Sequence, residues 1–256
     1  MPRPGRRAGD GCNLPNVSEE ARALRAVAAL SDELRRRMYE FIRRSPAPVT
    51  RDEAAESVGI SRKLAAFHLD KLVAVGLLDA GYARPGGPRR VGRAPKVYRP
   101  AGEDVRVSIP HREHALLAGI LLDGVRHQAP GESGRDAAVR AAAERGRALG
   151  ADERTRSGSG GLVPEKALAH AGEALERHGF APDRVSTARI RLTNCPFQPL
   201  AGHDPDLVCG INHALLAGFL DGLGATGVTA ALAPRPGMCC VELEASAPAT
   251  EDDTDA

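Results

Sequence analysis

The sequence predicts an α+β fold in two parts, with short capped helices in the N-terminal part and a small antiparallel sheet in the C-terminal part. Capping residues and helical periodicity dominate the first part, and an alternating run from residue 184 with two later strand-like runs predicts the sheet. The charge divides in the same way. Residues 1–100 hold 20 Lys/Arg against 11 Asp/Glu, and the remaining residues hold 15 against 22. This asymmetry indicates a polyanion-binding half joined to a half with another task.

Two short helices follow one another between residues 50 and 78. Thr50 and Glu53 have the spacing of a capping box, Gly59 ends the first helix, and Ser61 caps the second. The apolar positions of the second helix repeat at i, i+4 and i+7, in Ala65, Leu69 and Leu72. A Gly/Pro/Arg-rich loop, ARPGGPRRVGRAP, and the strand-like run KVYRP come next. This order predicts a winged helix-turn-helix, whereas a solvated hairpin with a basic linker explains only the charge.

The second helix begins with two cations, Arg62 and Lys63, and Ala66 follows one turn later. Cations and small side chains at the start of such a helix suit the major groove, where Arg and Lys reach guanine acceptors. The loop arginines are suited to phosphates or to a minor groove. We therefore predict that double-stranded DNA is the partner of this part of the chain.

The N-terminal segment resembles the winged helix-turn-helix of ArsR-type bacterial transcriptional regulators. The resemblance rests on SDELRRRMYEFI, SRKLAAFHLDKLVAVGLL and KVYRP, and it covers about the first hundred residues. It implies that Arg62, Lys63 and Ala66 face base edges. His68 is expected to bond a phosphate or a neighbouring carbonyl. The predicted cations of the wing and the strand after it are Arg89, Arg90, Arg93 and Lys96.

The predicted boundaries are a disordered basic arm at 1–17, the DNA-binding domain at 18–100, an effector domain at 101–245 and a disordered acidic tail at 246–256. No run of 18 apolar residues and no apolar secretory signal is present, so we expect a cytoplasmic protein without a membrane span. No Gly-rich phosphate loop, nucleophile elbow or HExxH pair indicates an enzyme.

The effector domain is predicted to begin with a strand or linker at VRVSI, followed by the amphipathic helix HREHALLAGILLDGVRHQ. That helix is either a dimerisation helix of a homodimer or an ordinary core helix. An Ala/Arg-rich helix then gives way to a loop at RTRSGSGG, and Pro164 starts the next helix. In the run RVSTARIRLTN the candidate inward residues are Val185, Ile190 and Leu192. Asp204 or Asp206 begins a long helix, and GVTAALA and MCCVELEA complete the sheet.

Four of the five cysteines lie in the last third of the chain, at Cys195, Cys209, Cys239 and Cys240. In an intracellular protein they are metal ligands, a redox switch or buried core thiols. Cys209 is expected near a helix start, where the helix dipole lowers a thiol pKa. If Cys239 and Cys240 lie in a strand, they point to opposite faces, so only one of them serves a given site.

This half also resembles the effector domain of SufR-type repressors, ArsR-like regulators that bind an iron–sulfur cluster. The motif NCPF, the second cysteine at a helix head and a late cysteine in a strand carry the resemblance. Cys195, Cys209 and Cys239 match three of the family's four cysteine positions, and the fourth is replaced by the run FLDGLGATG. His213, Cys240 or His203 is the candidate for the missing ligand. Zinc suits the same donors.

We therefore predict a homodimeric, DNA-binding transcriptional regulator whose C-terminal cysteines bind a metal or an iron–sulfur cluster, or act as a redox switch. The alternative is a winged-helix regulator that senses a small organic ligand, with cysteines that only pack the core. An enzyme with an accessory DNA-binding domain and a purely architectural DNA-binding protein are the rivals from other classes.

Overall fold

The computed structural model describes residues 17–82, 94–102, 104–158 and 161–246. It divides into two compact units, Val17–Val107 and the residues from Ser108 onward. Both units combine helices with a small antiparallel sheet, so the predicted α+β class is confirmed. The predicted basic arm and acidic tail fall almost wholly outside the described residues.

In its described residues, the N-terminal unit contains four helices and a three-stranded sheet. Its elements are α1 (Val17–Ala29), α2 (Glu33–Arg44), β1 (Val49–Thr50), α3 (Arg51–Val58), α4 (Arg62–Ala74), β2 (Leu78–Tyr82) and β3 (Lys96–Pro100). Strand β3 lies between β1 and β2 and is antiparallel to both, with Tyr98 opposite Val49 on one side and Ala80 on the other. The loop between β2 and β3, predicted as the wing, lies largely outside the described residues.

The predicted helix caps are present. The Thr50 backbone N–H donates to Glu53 Oε2 at 2.7 Å, and the Glu53 N–H donates to Thr50 Oγ1 at 3.3 Å. Ser61 accepts from the Leu64 N–H at 3.3 Å, and Gly59 adopts a φ of +70°, which permits the sharp turn between α3 and α4. The core beneath these helices is apolar, with Met38, Ile42, Leu69, Leu72 and Tyr98 inaccessible or nearly so.

The part of the C-terminal unit that the structure describes contains five helices and a four-stranded sheet. Its elements are α5 (His114–Arg126), α6 (Gly134–Ser157), α7 (Pro164–Glu176), β4 (Pro182–Ser186), β5 (Arg189–Leu192), α8 (Leu200–His203), α9 (Pro205–Leu223), β6 (Val228–Leu232) and β7 (Val241–Ala245). The strand order is β4-β5-β7-β6, and every neighbouring pair is antiparallel. Helix α9 packs against α6 and β6, α5 packs against α6, and α7 packs against the sheet.

Helices α6 and α9 meet backbone to backbone. Each presents a pair of glycines four residues apart, Gly146 and Gly150 on α6 and Gly218 and Gly222 on α9. A Cβ atom added at any of the four would overlap a backbone carbonyl oxygen of the opposite helix. Glycine is therefore required at all four positions, because only its missing side chain allows this approach.

Several predicted elements differ from the structure. Residues 105–109 form no strand, and α6 continues through Ser157, so the predicted loop at RTRSGSGG begins later, at Gly158. The run at 184–192 is a hairpin rather than one strand. Because the chain turns within it, Val185 on β4 is 47% exposed while Ile190 and Leu192 are buried. The predictions that Pro164 starts a helix and that Asp204 caps α9 are confirmed.

Helix α9 is long and apolar enough, by length and composition, to cross a membrane, and among the described residues no other helix is. More than half of its apolar stretch is buried inside the C-terminal unit. Its buried face supplies core residues such as Ile211, Leu215 and Phe219. The helix therefore has the surroundings of a core helix.

Candidate DNA-binding surface and thiol cluster

Helix α4 exposes the two cations predicted at its start. Arg62 and Lys63 are both exposed, and Arg62 Nε lies 3.1 Å from Asp52 Oδ1 of α3. Both charges of this pair are well exposed to water, so the pair contributes little stability and does not prevent Arg62 from binding DNA. Ala66 is half-buried one turn further on. The start of α4 is thus a positively charged, sterically open surface.

Sequence reasoning missed an aromatic residue on the same surface. Phe67 is 54% exposed, and Lys71 Nζ lies 5.7 Å from the centroid of its ring. Leu64 is also exposed, at 41%. Helical periodicity could have indicated that Phe67 is exposed, because this residue falls outside the i, i+4, i+7 series of buried positions on α4.

His68 does not lie on this surface. It is only 6% exposed, and its ring meets Phe67 edge to face. Its Nδ1 is 3.9 Å from Asp32 Oδ1 and has no hydrogen-bond partner. The prediction of a DNA-contacting histidine is corrected for a geometric reason: His68 lies three residues after Ala65 and four before Leu72, on the buried face of α4.

Lys96 connects strand β3 to helix α4. Its Nζ donates to Asp70 Oδ1 at 2.9 Å and lies 5.2 Å from the centroid of the Tyr98 ring. The hydrogen bond to Asp70 raises the pKa of Lys96. The ammonium group is therefore engaged within the unit. The remaining predicted wing residues, Arg89, Arg90 and Arg93, lie outside the described residues.

In the C-terminal unit the four late cysteines lie together. Cys195 is beside Cys239, Cys239 beside Cys240, and Cys240 beside Cys209, and Cys195 also interacts electrostatically with Cys240 and Cys209. All four are free thiols, of which Cys209 alone is half-buried and the others are buried. Three separate chain segments meet here: the loop after β5, the second turn of α9, and the turn before β7. We call these four residues the thiol row.

Cys239 and Cys240 do not lie in a strand, because β7 begins only at Val241. They occupy an irregular turn, which allows two consecutive side chains to reach the same site. Asn212 Nδ2 lies 3.1 Å from Cys239 Sγ and 3.9 Å from Cys240 Sγ. The condition for expecting only one of the two cysteines at a site, a strand that contains both, is therefore not met.

The thiol pKa values alternate along the row. The Cys239 thiol and a backbone N–H lower the pKa of Cys195, and contacts with Cys239, Cys209 and Asn212 lower that of Cys240 to about 6. Hydrogen bonding to the sulfurs of Cys195 and Cys240, together with burial, raises the pKa of Cys239. Each thiolate-favouring sulfur thus has a protonated thiol beside it.

Cys209 departs from its predicted behaviour. Burial and the neighbouring Cys240 raise its pKa to about 12, although it lies near the start of α9. The desolvation penalty and the nearby negative sulfurs outweigh the helix dipole, which acts mainly on the first turn. Cys209 is therefore a proton-holding partner rather than an activated thiolate.

The thiol row borders an open pocket of about 130 Å³. Its lining includes Cys195, Cys209 and Cys240, with Arg235, Gln198 and Met238 beside them. Arg235 brings a positive charge close to the row, and its Nε donates to Glu242 Oε1 at 3.0 Å. A small reagent therefore has a route to the sulfurs.

The predicted histidine ligands lie elsewhere. His213 Nε2 is 3.0 Å from the Ala230 carbonyl oxygen, and the residue lines a different pocket, which contains no cysteine. His203 is exposed at the end of α8. Within the described ranges, no three His, Cys, Asp or Glu side chains are placed to hold a metal ion. As they are placed in the described residues, the four thiols do not form a preformed metal site.

The loop that carries Cys195 is tied to the segment just before α5. Arg112 Nη1 donates to Asn194 Oδ1 at 2.5 Å, and the Glu113 N–H donates to the Pro196 carbonyl at 2.8 Å. His114 Nε2 lies 2.8 Å from the Gln198 carbonyl oxygen. These bonds hold residues 112–114 against residues 194–198 on either side of Cys195.

No curated protein matches the chain. Residues 30–79 match a family model described as a helix-turn-helix domain. The match contains α2, α3 and α4, the elements that position the exposed cations described above. Residues 30–79 of this chain are therefore a helix-turn-helix domain.

Proposed function

We propose that the protein is a transcriptional regulator that binds operator DNA through α4 and controls that binding through the thiol row. The helix-turn-helix domain with Arg62 and Lys63 exposed at the start of α4 supports DNA binding. The observation that carries the sensing half is the continuous contact among four thiols from three chain segments. Packing of the core alone would need only small apolar side chains, and it would not require four thiols to lie in contact with one another.

The arrangement favours a thiol redox switch. Consecutive Cα atoms are about 3.8 Å apart, below the usual disulfide range of about 4.4–6.8 Å, which disfavours a Cys239–Cys240 disulfide. The preferred pairs are Cys209 with Cys240 and Cys195 with Cys239. In both pairs one sulfur favours the thiolate and the other keeps its proton.

A hydroperoxide is the oxidant we propose for the first step. The Cys240 thiolate attacks the outer oxygen, the O–O bond breaks, and the alkoxide that leaves takes up a proton. Cys240 is now a sulfenic acid. The Cys209 sulfur then attacks Cys240, the S–O bond breaks, water leaves, and a disulfide remains. The two thiols lose two electrons, and the hydroperoxide gains them.

The hydrogen bonds around Cys195 provide a path from the thiol row toward the DNA-binding unit. A disulfide between Cys195 and Cys239 would pull on residues 194–198, which hold Arg112, Glu113 and His114. Residues 112–114 follow the junction between the two units, at residue 108. Oxidation would thereby act on the segment of chain that follows the junction between the units, and we propose that this changes operator binding.

We propose a homodimer through α5. Its exposed side carries apolar residues at spacings of three and four, namely Ala115, Ala118, Leu122 and Val125. Leu122 is 57% exposed and Val125 is 73% exposed. A stripe with this spacing pairs with a second copy of itself, and a two-fold dimer suits a palindromic operator. Light scattering of wild type and Leu122→Glu tests this, with a loss of the dimer expected in the variant.

Oxidant-dependent DNA binding tests the switch. We would purify the protein without oxygen, quantify iron, sulfide and zinc, titrate it with hydrogen peroxide, and measure disulfides by mass spectrometry and binding to a selected duplex. Wild type and the control Cys12→Ser should lose or gain affinity on oxidation, whereas a variant with both Cys195→Ser and Cys240→Ser, which removes both preferred pairs, should not respond. Bound iron with sulfide, or zinc, lost in Cys195→Ser would replace the redox switch by the predicted metal sensor. An oxidised protein with unchanged affinity would refute thiol sensing.

A second candidate is supported by the pocket beside the end of α9. It measures about 430 Å³ and is bordered by His213, Asp221 and Thr229. Its size suits a small organic effector. In that case the cysteine-to-serine variants would bind DNA and respond to the effector as wild type does.

A further inference from the structure

Phe67 is exposed where the packing of the unit gives no reason for it. The chain has only five Phe and three Tyr, and the most deeply buried of them, Tyr98, Phe197 and Phe219, fill the cores of the two units. Phe67 instead leaves 54% of its surface in water. Together with Leu64, which is 41% exposed, it forms an apolar feature among charged side chains, the kind of feature that marks a contact surface.

The neighbours of Phe67 define what that surface meets. Lys63 and Lys71 stand four residues before and after it, so the three side chains occupy one face of α4. Lys71 Nζ lies 5.7 Å from the ring centroid, and Arg62 adds charge beside Lys63. An apolar group between cations fits a polyanion that offers an apolar group of its own, and it does not fit a purely apolar partner.

In the major groove of DNA, the thymine 5-methyl is the apolar group that base edges present, and Phe is among the side chains that contact it. We propose that Phe67 reads thymine by packing its ring against this methyl group. The lysines on either side bind phosphates and set the depth of α4 in the groove. This inference rests on the DNA-binding half of the proposed function and is independent of the thiol row.

The experiment removes the methyl group of one thymine of the DNA at a time. A preferred duplex is first selected from random sequences with the full-length wild-type protein. Each thymine in it is then replaced by uracil, which removes only the 5-methyl, and affinities are measured for wild type, Phe67→Ala and Phe41→Ala. Phe41, 38% exposed on α2, is the matched control.

Wild type and Phe41→Ala should lose affinity by about fourfold at one thymine per half-site, the effect of exposing one buried methyl group. Phe67→Ala should bind the thymine duplex more weakly and should be indifferent to uracil at that position. Equal uracil sensitivity in wild type and Phe67→Ala, or none in either, overturns the inference alone. Failure of the selection to yield any preferred duplex overturns both the inference and the DNA-binding proposal.

Discussion

Gly146 of α6 faces the carbonyl oxygen of Leu215 of α9 so closely that no Cβ atom fits between them. Gly218 faces the Ala143 carbonyl in the same way from the opposite helix. The relationship is thus reciprocal, and each helix inserts its glycines against the backbone of the other. At this crossing the two helices behave as one packed element, stabilised by backbone contact over its length.

Gly218→Ala is expected to lower the free energy of unfolding by about 2–4 kcal/mol. The added methyl must push the backbones of α6 and α9 apart, because no flexible side chain lies there to move. Thermal or urea unfolding of the full chain measures the change. Gly210→Ala on the same helix is the matched control. Its new methyl would find its nearest neighbours, in the Arg135 and Val139 side chains, at 3.9 Å, so it should be neutral or stabilising. Equal effects of both substitutions would contradict close packing.

Glu242→Gln is expected to cost about 2 kcal/mol of stability. The Glu242 side chain is 3% exposed, and its Oε1 accepts from Arg191 Nε and Arg235 Nε, each at 3.0 Å. Removing its charge leaves two arginines without their carboxylate. Arg235 precedes the turn that carries Cys239 and Cys240, and its bond to Glu242 fixes it in place. Without this bond the turn should be less restrained, so the reactivity of the thiols toward a disulfide reagent should also rise.

Glu244→Gln is the control for that prediction. Glu244 lies on the same strand, is 40% exposed, and pairs with Arg189 at 2.9 Å. An exposed pair of this kind contributes less than about 1 kcal/mol. A Glu244→Gln variant as unstable as Glu242→Gln would show that burial of the Glu242 carboxylate is unimportant.

His178 should make the protein less stable as the pH falls from about 6.5 to about 4. Its ring packs edge to face on Phe219, and neither ring nitrogen has a hydrogen-bond partner. Burial lowers its pKa to about 4, although Glu153 acts in the opposite direction and Arg177 and Arg156 add to the lowering. In this pH range the unfolded chain binds a proton that the folded chain does not, so protonation favours unfolding.

The loss amounts to about 3 kcal/mol at most, from a shift of about 2.5 pH units at 1.36 kcal/mol each. Below pH 4 both states are protonated and the loss is complete. Urea unfolding of wild type and His178→Gln between pH 4 and 7.5 isolates this contribution. The variant should lack the corresponding slope, whatever its absolute stability. Parallel pH profiles would exclude a buried neutral histidine.

Arg62→Ala should weaken binding to the preferred duplex by about tenfold and narrow the gap between preferred and random sequences. This follows from the exposed position of Arg62 at the start of α4, where a base contact contributes about 1–3 kcal/mol. Fluorescence anisotropy at two salt concentrations measures affinity and its salt slope. Arg106→Ala removes an equally exposed arginine, paired with Asp104 away from α4, and should leave sequence preference unchanged.

The local signals in the sequence were sufficient for the N-terminal unit. The caps at Thr50 and Ser61 and the glycine at 59 act within four residues of themselves, so reading them in order predicts α3 and α4 correctly. Phe67 and His68 show where this reasoning ends. By periodicity Phe67 lies opposite the series Ala65, Leu69 and Leu72, whereas His68 lies at the edge of that series, where only packing decides that it is buried.

The C-terminal unit depends more on contacts between distant residues. Glycine has a low helix propensity, so a glycine in a helical sequence predicts a less stable helix. Gly146 and Gly150 are nevertheless required, because the backbone of the partner helix, more than 60 residues away in the sequence, lies against them. The approach of Cys195, Cys209 and Cys239 to one another was predicted from the resemblance. The presence of both Cys239 and Cys240 beside Asn212 was not, because it depends on the turn before β7.

The glycine contacts also have a mechanical consequence. Where backbones touch, no rotamer can change to absorb a displacement, so α6 must follow α9. The close approach continues to α5, where a Cβ atom at Gly124 would lie 3.0 Å from the Ala138 backbone. Under the proposed redox switch, a movement that starts at Cys209 would therefore be carried from α9 through α6 to α5. Because this unit is stiff rather than flexible, a chemical change at the sulfurs would alter the position of a distant surface.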